Sequence, residues 1–339
     1  MRAIGYRKAS PELDHLEAFD IPRPRPEGRD LLVEVRAVSV NPVDYKVASG
    51  GGPGGGSTDP DGIKVVGYDA AGVVVETGRD AKLFKPGDEV FYAGSVGRPG
   101  ADMEFHLVDE RIVGKKPRML DFAAAAALPL TSITAWEAMF DRLDVAKPVS
   151  GAARAILILG GAGGVGSIAV QLARQLTDLA VVATASRPET AHWAKAMGAH
   201  HVVDHKKPLA PQIAALGIGS PAFIFATAPV GGLIADLAEL IAPQGRIALI
   251  NGEAADLFVF RPKSVSIHHE LMFTRPLFQT ADMEAQHQLL NEVADFVDSG
   301  RVRSTMRENY GRIDAANLMR AMAHLKTGAG VGKIVLEGF

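Results

Sequence analysis

The sequence predicts an α/β protein that combines a doubly wound parallel sheet with a second, β-rich part. The chain has 339 residues, which is enough for about two domains. Its first ~125 residues contain short apolar runs separated by turn residues, as in strands. Apolar runs then alternate with helical stretches through the middle of the chain. That alternation is typical of β-α-β units and a parallel sheet.

Three predicted strands define the β-rich first part. Residues 31–40 alternate in polarity and are rich in β-branched side chains, which is typical of a half-buried strand. Residues 65–76 predict a second strand, and residues 83–92 predict a Pro-Gly-Asp turn followed by a third. The glycine-rich segment 50–62 cannot pack a core. It is therefore either an inert surface loop or a lid near a pocket mouth.

The middle of the chain supplies the predicted parallel sheet. Its strand-like runs are AILILG, LAVVATA, HHVVDH, AFIFATA and RIALIN, and a helical stretch follows each of the first four. An amphipathic helix over 286–297, a second over 315–326 and a final strand, GKIVLEGF, follow this region.

The composition excludes several classes of protein. The chain contains no cysteine, so it has no disulfide framework, Cys-ligated zinc, iron–sulfur cluster or thiolate nucleophile. This fits a reducing compartment, and we expect a cytoplasmic protein. The net charge of −3 gives no reason to expect nucleic acid or a membrane surface as a partner. The first residues also lack the apolar core of a secretory signal.

One uncharged stretch passes a simple test for a membrane span. Residues 155–173 carry no charge, and their number is close to the ~20 residues of a spanning helix. Five glycines lie in the middle of this stretch and would break such a helix. We therefore favour a buried strand, a glycine turn and a helix over a membrane helix.

The glycine turn fits the pattern G-x-G-x-x-G. An apolar run leads into it, a helix leaves it, and its residues are Gly161, Gly163, Gly164, Val165 and Gly166. Glycines let the backbone approach a pyrophosphate, and the helix N-terminus offers free N–H groups to it. The turn predicts dinucleotide binding in a Rossmann domain, with a bare packing turn as the alternative.

The end of the next strand indicates which dinucleotide is bound. A site for NAD needs a carboxylate there to bind the ribose hydroxyls, and this strand is followed by Ser186 and Arg187 instead. A serine can donate a hydrogen bond to a 2′-phosphate, and an arginine can pair with it. The sequence therefore predicts NADPH, although a helix N-cap serine and a solvated arginine would give the same pattern.

The order of these segments resembles the medium-chain dehydrogenase/reductase superfamily. Within it, the chain is similar to the zinc-free quinone-reductase-like branch, which includes proteins labelled zinc-type alcohol dehydrogenase-like. The resemblance rests on VNPVDYK (40–46), GYDAAGVV (67–74), KPGDEVF (85–91), LPLTSITAWEAM (128–139), GGAGGVG (160–166) and VGKIVLEGF (331–339). It implies a Rossmann domain over 128–279 and a discontinuous GroES-like catalytic domain over 1–127 and 280–339.

The resemblance also implies that no zinc is bound. Zinc alcohol dehydrogenases of this superfamily carry Cys, His and Cys where this chain has Asn41, Tyr68 and Thr131. None of these three is a good zinc ligand, and Asp69 replaces the glutamate often found beside the histidine. Histidines at 200, 201, 205, 268 and 269 offer an alternative metal site, but ordinary strand-edge histidines explain them better.

Hydride transfer to a quinone or an enone would then need neutral groups to stabilise an oxyanion. The resemblance places Asn41 and Tyr45 nearest to the former zinc position, as hydrogen-bond donors and with Tyr45 able to pass on a proton. The pair Asn41-Pro42 is equally consistent with a simple turn. Asp44 and Lys46 either take part in the reaction or are ordinary solvated side chains.

Further cofactor contacts follow from the resemblance alone. Two residue pairs would lie at the ends of two strands of the dinucleotide-binding sheet, near the nicotinamide. They are Thr227 with Ala228 and Asn251 with Gly252. Arg275 or Lys333 would reach a phosphate. The residues it suggests are Thr131, Thr227, Asn251, Phe273, Arg275 and Lys333.

The sequence therefore predicts an NADPH-dependent reductase of quinones or α,β-unsaturated carbonyls. A nucleotide-binding sensor or structural protein without turnover is the first alternative, and a metal-dependent alcohol dehydrogenase is the second. The resemblance implies a homodimer that pairs through residues 265–273, because an uncovered apolar edge strand needs a partner.

Overall fold

The computed structural model describes residues 1–52, 62–252 and 256–339. The lid suggested for segment 50–62 falls mostly on residues 53–61 and so lies outside the described residues. The chain forms two compact units. The first unit comprises residues 1–133 and 273–339, and the second comprises residues 134–272. The domain boundaries implied by the resemblance stay predictions.

The strands of the described residues are numbered in chain order. They are β1 (Arg2–Tyr6), β2 (Glu17–Asp20), β3 (Asp30–Val40), β4 (Lys64–Val65), β5 (Ala70–Thr77), β6 (Glu89–Tyr92), β7 (Phe105–Asp109), β8 (Val113–Lys115), β9 (Ala153–Leu159), β10 (Ala180–Thr184), β11 (His201–Val203), β12 (Pro221–Ala226), β13 (Arg246–Leu249), β14 (Ser266–His269), β15 (Met306–Asn309) and β16 (Lys333–Glu337).

The α-helices are numbered in the same way. They are α1 (Pro42–Ala48), α2 (Phe122–Ala126), α3 (Pro129–Trp136), α4 (Gly164–Leu176), α5 (Pro188–Ala196), α6 (Leu209–Ala215), α7 (Ile234–Leu240), α8 (Thr274–Phe278), α9 (Ala285–Asp298) and α10 (Ala315–Lys326). A π-helical turn over Glu137–Arg142 continues α3. In the part of the chain that the structure describes, no helix has the length and apolar character needed to span a membrane.

The first unit is built around a mostly antiparallel sheet with the strand order β15-β16-β3-β5-β6-β8. Strand β3 organises it: one edge pairs with β5, and the other edge pairs first with β7 and then with β16. Eight of its eleven side chains are buried, so the predicted strand over 31–40 is confirmed. A smaller sheet, β2-β1-β4, belongs to the same unit.

The predicted strand over 65–76 is broken in the structure. Strand β4 ends at Val65 and β5 begins at Ala70. Gly67 between them has φ +106°, and a Cβ built on it would lie 2.5 Å from the Asp102 carboxylate. This conformation turns the chain and places Tyr68 and Asp69 in a connection instead of a strand.

The second unit contains the parallel sheet that the alternating pattern predicts. Its order is β11-β10-β9-β12-β13-β14, and every adjacent pair is parallel. The central strand β9 is buried from Ala155 to Leu159, and apolar side chains of its neighbours and of α6 and α7 form one core cluster. The order reverses beside β9, which is where open α/β sheets bind ligands at the carboxyl ends of their strands.

Candidate functional site

The glycine turn lies between β9 and α4, at the carboxyl end of the parallel sheet. Gly160 has φ +73°, and its N–H donates to Thr184 Oγ1 at 3.0 Å. The N–H of Gly161 donates to the Thr184 carbonyl at 3.1 Å. A Cβ on Gly161 would lie 2.6 Å from that of Ala183, and one on Gly166 would lie 2.2 Å from the Gly160 carbonyl. The chain therefore packs too closely at Gly161 and Gly166 for a larger residue.

The N-terminus of α4 fits an anion. Gly163 is its N-cap and has no side chain to cap the helix. The first N–H groups of a helix have no acceptor within it, and here they belong to Gly164, Val165 and Gly166. The thirteen-residue helix adds the positive end of its dipole. Together with the bare glycine backbone, these groups would hold the pyrophosphate of a dinucleotide.

Basic groups meet at the ends of β10 and β11. Arg187 follows β10, is exposed and is the N-cap of α5, and Ser186 beside it is half-buried. Burial lowers the pKa of His205, and the nearby cations Lys206 and Arg187 lower it further against the effect of Asp204. We did not expect His205 at this position. The sequence could have placed His205 beside Arg187, because the carboxyl ends of adjacent parallel strands lie at one edge of a sheet.

The remaining predicted residues of the second unit lie at the ends of neighbouring strands. Thr227 follows β12, and its hydroxyl donates to the Leu159 carbonyl at 2.6 Å, which ties it to the end of β9. Asn251 lies two residues beyond β13 and is half-buried. The fold thus brings Thr227, Asn251 and the glycine turn to one edge of the sheet.

A buried ion pair lies at the end of β3 in the first unit. The Lys333 ammonium, at the start of β16, donates to Asp69 Oδ2 at 3.0 Å and to the Val40 carbonyl at 3.0 Å. It also donates to Asn41 Oδ1. Asp69 accepts from the Asn41 amide at 2.8 Å and from the Leu130 N–H at 2.7 Å. Asn41, Asp69 and Lys333 are all nearly inaccessible to solvent, so one carboxylate joins four segments of this unit.

The charge on Asp69 depends on these donors. Burial raises the pKa of Asp69, while Lys333, the Asn41 amide and the Leu130 N–H each act to lower it. Removing any of these donors would leave part of a buried charge without compensation.

These contacts do not fit two of the predicted roles. The Asn41 amide also donates to the carbonyls of Ser39 at 3.2 Å and Tyr68 at 3.1 Å, so acceptors inside the protein already take its hydrogens. All three donors of Lys333 are likewise used inside the cluster. Asn41 is therefore a poor donor to a substrate oxyanion, and Lys333 is a poor ligand for a phosphate.

A second set of buried acids adjoins this ion pair. Asp44 on α1 accepts from the Asn41 N–H at 2.5 Å, and burial raises the pKa of Asp44 to about 7. Burial also raises the pKa of Asp102 and of Tyr68, and the charge of Asp44 adds to both shifts. Sequence analysis missed Asp102, because no pattern links it to Asp44 or Tyr68.

The other predicted residues of the first unit differ in accessibility. Tyr45 on α1 is half-buried, and its partial burial raises the pKa of its phenol. Phe273 is buried with its ring edge-on to Tyr68 at a centroid distance of 5.5 Å. Thr131 is buried and donates to the Leu128 carbonyl at 3.1 Å. Arg275 is anchored to Asp282 through two nitrogens at 2.9 and 3.0 Å, which opposes a role at a phosphate.

The residues at the former zinc positions do not fit a zinc ion. Asn41 and Thr131 use their polar atoms within the protein, and Tyr68 keeps a neutral phenol because burial raises its pKa. Zinc requires thiolate, imidazole or carboxylate ligands. Within the described ranges, no group of three or more His, Cys, Asp or Glu side chains could hold a metal ion.

Two parts of the chain match family descriptions. Residues 27–118 match the alcohol dehydrogenase GroES-like domain, and residues 164–294 match the zinc-binding dehydrogenase family. A β-rich unit of the GroES-like kind together with a dinucleotide-binding sheet defines an oxidoreductase. The chain belongs to the medium-chain dehydrogenase/reductase superfamily, in its quinone-reductase-like branch.

Individual relatives extend this finding. A zinc-type alcohol dehydrogenase-like protein of Staphylococcus aureus is 37% identical over 99% of this chain and 100% of its own length. A crystal structure from Rhizobium etli, provisionally described as that of a zinc-dependent alcohol dehydrogenase protein, is 61% identical to this chain with a TM-score of 0.96, and the match covers 100% of this chain and 98% of that one. The quinone oxidoreductase of Coxiella burnetii is 26% identical with a TM-score of 0.80 and covers 100% and 99%.

Proposed function

We propose that the chain is an NADPH-dependent oxidoreductase that transfers hydride to a quinone or an α,β-unsaturated carbonyl without catalytic zinc. The observation that carries the proposal is the bare glycine turn at the start of α4, with Ser186 and Arg187 in place of an acid after β10. The likeness to a quinone oxidoreductase supports the substrate class. Descriptions that name zinc concern the relatives themselves, and the donor set of this chain argues against a zinc site.

The roles of individual residues follow from their positions. NADPH supplies the hydride when it is bound. The N–H groups of Gly164, Val165 and Gly166 would bind its pyrophosphate, and Arg187 with Ser186 and His205 would bind the 2′-phosphate. These contacts would favour NADPH over NADH, because NADH has no 2′-phosphate with which Arg187 can pair.

Tyr45 is the better of the two candidates for proton donation. Hydride addition to an enone or a quinone leaves an enolate-like oxygen, which a phenol can stabilise and protonate. Tyr45 is half-buried and lies on a short helix that Asp44 and Asn41 fix at its N-terminus. Its raised pKa keeps the phenol protonated at neutral pH. Asn41 instead serves to hold Asp69 and Lys333 in place.

The first test concerns the cofactor. With a quinone and an enone panel, we expect oxidation of NADPH in preference to NADH, and the activity should survive dialysis against a metal chelator. Arg187→Ala should weaken NADPH binding about 10- to 100-fold, since hydrogen bonds to charged groups contribute about 1.5–3 kcal/mol, and should leave NADH binding unchanged. Titration of intrinsic fluorescence measures both affinities.

Arg154→Ala is the matched control, because Arg154 is an exposed arginine of the same unit paired with Asp178. Equal affinity for NADH and NADPH would refute the cofactor assignment. Tight binding of NADPH without oxidation across the whole panel would instead favour a sensor or a structural protein.

The second test concerns Tyr45. Tyr45→Phe should lower kcat about 10²- to 10⁴-fold, which is the usual contribution of a general acid, while the dissociation constant of NADPH stays the same. Tyr310→Phe serves as the control, since Tyr310 contacts His324 elsewhere in the first unit. Unchanged turnover in Tyr45→Phe would exclude this tyrosine as the proton donor.

We further propose a homodimer in the cytoplasm. Strand β14 is the last strand of the parallel sheet in its described order, although it is shorter than the predicted segment 265–273. Phe258 and Val259 near it are exposed apolar side chains. An exposed strand edge flanked by apolar groups favours pairing with a second copy.

A further inference from the structure

Two buried glutamates lie where the chain enters and leaves the second unit. That unit begins at Thr134 and ends at Met272. Glu137 opens the π-helical turn just after the entry point, and Glu270 follows β14 just before the exit point. Both side chains are buried. The two residues are therefore distant in sequence but adjacent at the two ends of one folded unit.

Among the described residues, no N–H or O–H group donates to the buried Oε1 of Glu270, and the neighbouring Glu137 carboxyl raises the pKa of Glu270 by its charge and by a hydrogen bond between the two groups. Ionised carboxylates only accept hydrogen bonds, so a bond between two of them requires a proton on one. The Arg142 Nε donates to Glu270 Oε2 at 2.9 Å from the end of the same π-helical turn. The Arg142 guanidinium thus pairs with Glu270, and one proton shared by the two glutamates leaves the three side chains neutral overall.

The basic side chains on β13 and β14 are Arg246, His268 and His269. Arg246 on β13 donates to the carbonyls of Leu143 and Asp144 at 2.6 and 2.8 Å. Burial lowers the pKa of His268 on β14, and Arg142 and Arg246 lower it further, so that imidazole is neutral. The other titratable groups on these elements are Asp141 on the π-helical turn and His269 on β14. Glu137 and Arg142 are the charged groups that act on Glu270.

We propose that Glu137 and Glu270 share one proton at neutral pH and act as a proton-dependent clasp that closes the two ends of the second unit. When the proton leaves, both buried glutamates are ionised, and Arg142 is paired with Glu270. The repulsion between the two carboxylates opposes the contact between the π-helical turn and the end of β14.

The pH range of this effect follows from the direction of the shift. Burial raises the pKa of Glu270 to about 8, and the charge of Glu137 adds to the shift. The unfolded chain has an ordinary glutamate pKa of about 4.3. Between these values the folded unit holds a proton that the unfolded chain has released. The clasp therefore stabilises the fold fully at low pH, and this stabilisation is lost as the pH rises through about 8.

The test compares the wild-type chain with Glu270→Gln. The glutamine amide donates to Glu137 and its carbonyl accepts from Arg142 at every pH, so the variant has no proton to lose. Both tryptophans, Trp136 and Trp193, lie in the second unit, so their fluorescence follows its unfolding in denaturant. The ratio of wild-type to variant unfolding constants should rise about tenfold per pH unit from pH 6 to 8 and then level off.

Glu239→Gln is the matched control, because Glu239 is exposed and belongs to the same unit. It should follow the wild type at every pH. Parallel pH dependence in the wild type and Glu270→Gln would overturn the proposal. If Glu270→Gln does not fold, Glu137→Gln provides the same comparison. Infrared spectra compared between the wild type and Glu270→Gln give a second readout: a protonated carboxyl band of the wild type at pH 6 that is missing in the variant and vanishes near pH 8 supports the clasp, and identical carboxyl bands in the two proteins at pH 6 refute it.

Discussion

Lys333→Met should destabilise the first unit by about 3–5 kcal/mol, the usual effect of removing one partner from a buried ion pair. The substitution keeps most of the side-chain volume, so the lost packing is small. It removes the donors that Asp69, Asn41 and Val40 receive from the ammonium. Asp69 would then be a buried carboxylate with two donors left, from Asn41 and Leu130. All five tyrosines lie in the first unit, so second-derivative tyrosine absorbance during denaturation measures the loss.

A double variant separates charge from packing. Lys333→Met combined with Asp69→Asn removes both charges and should recover most of the lost stability, because a neutral amide has no ionic desolvation penalty. Lys326→Met is the control, since Lys326 is exposed and donates only to the Pro11 carbonyl among the bonds described for it. A double variant no more stable than Lys333→Met would show that packing, and not the buried charge, makes Lys333 important.

Gly166→Ala should destabilise the second unit by about 3 kcal/mol, the upper end for an overpacked site, and should abolish NADPH binding at micromolar concentrations. The new Cβ would lie 2.2 Å from the Gly160 carbonyl and 2.7 Å from the Gly161 Cα. Both are backbone atoms, so the turn itself must move. Tryptophan fluorescence reports the stability, and a titration with NADPH reports the binding.

Gly163→Ala provides a matched comparison within the same turn. A Cβ there would meet the Gly160 carbonyl at 3.5 Å, which is an ordinary contact, and the residue has φ −73°. The cost should be about 1 kcal/mol, the typical advantage of a favoured helix N-cap residue over alanine. Equal effects of the two substitutions would mean that the close backbone contact at Gly166 is not what the turn requires.

Local patterns were sufficient to predict most of the second unit. Helix α4 ends at Leu176 as its apolar pattern indicates, and the strand-like runs become β9 to β13. These elements obey local rules: apolar side chains recur with the period of a strand or a helix, and a glycine turn joins them. In the first unit, helix α10 also coincides with the predicted segment 315–326.

The polar clusters could not be predicted in this way. Lys333 and Asp69 are 264 residues apart, and they meet because β3 pairs with β16 along one edge and with β5 along the other. The resemblance pointed to Asn41 as a donor to substrate, whereas the folded chain uses its amide hydrogens internally. No local pattern marks Glu137 and Glu270 as buried, because their burial depends on where two distant segments meet.

The position of β16 has a consequence for the order of folding during synthesis. Val40 and Lys333 are 293 residues apart, so at about 5–20 residues per second the ribosome needs roughly 15–60 s to make the strand that completes the β3 edge. The second unit consists of the uninterrupted residues 134–272 and can fold before that strand exists. During this interval Asp69 has no ammonium partner. The first unit is therefore the part of a nascent chain that depends most on chaperones.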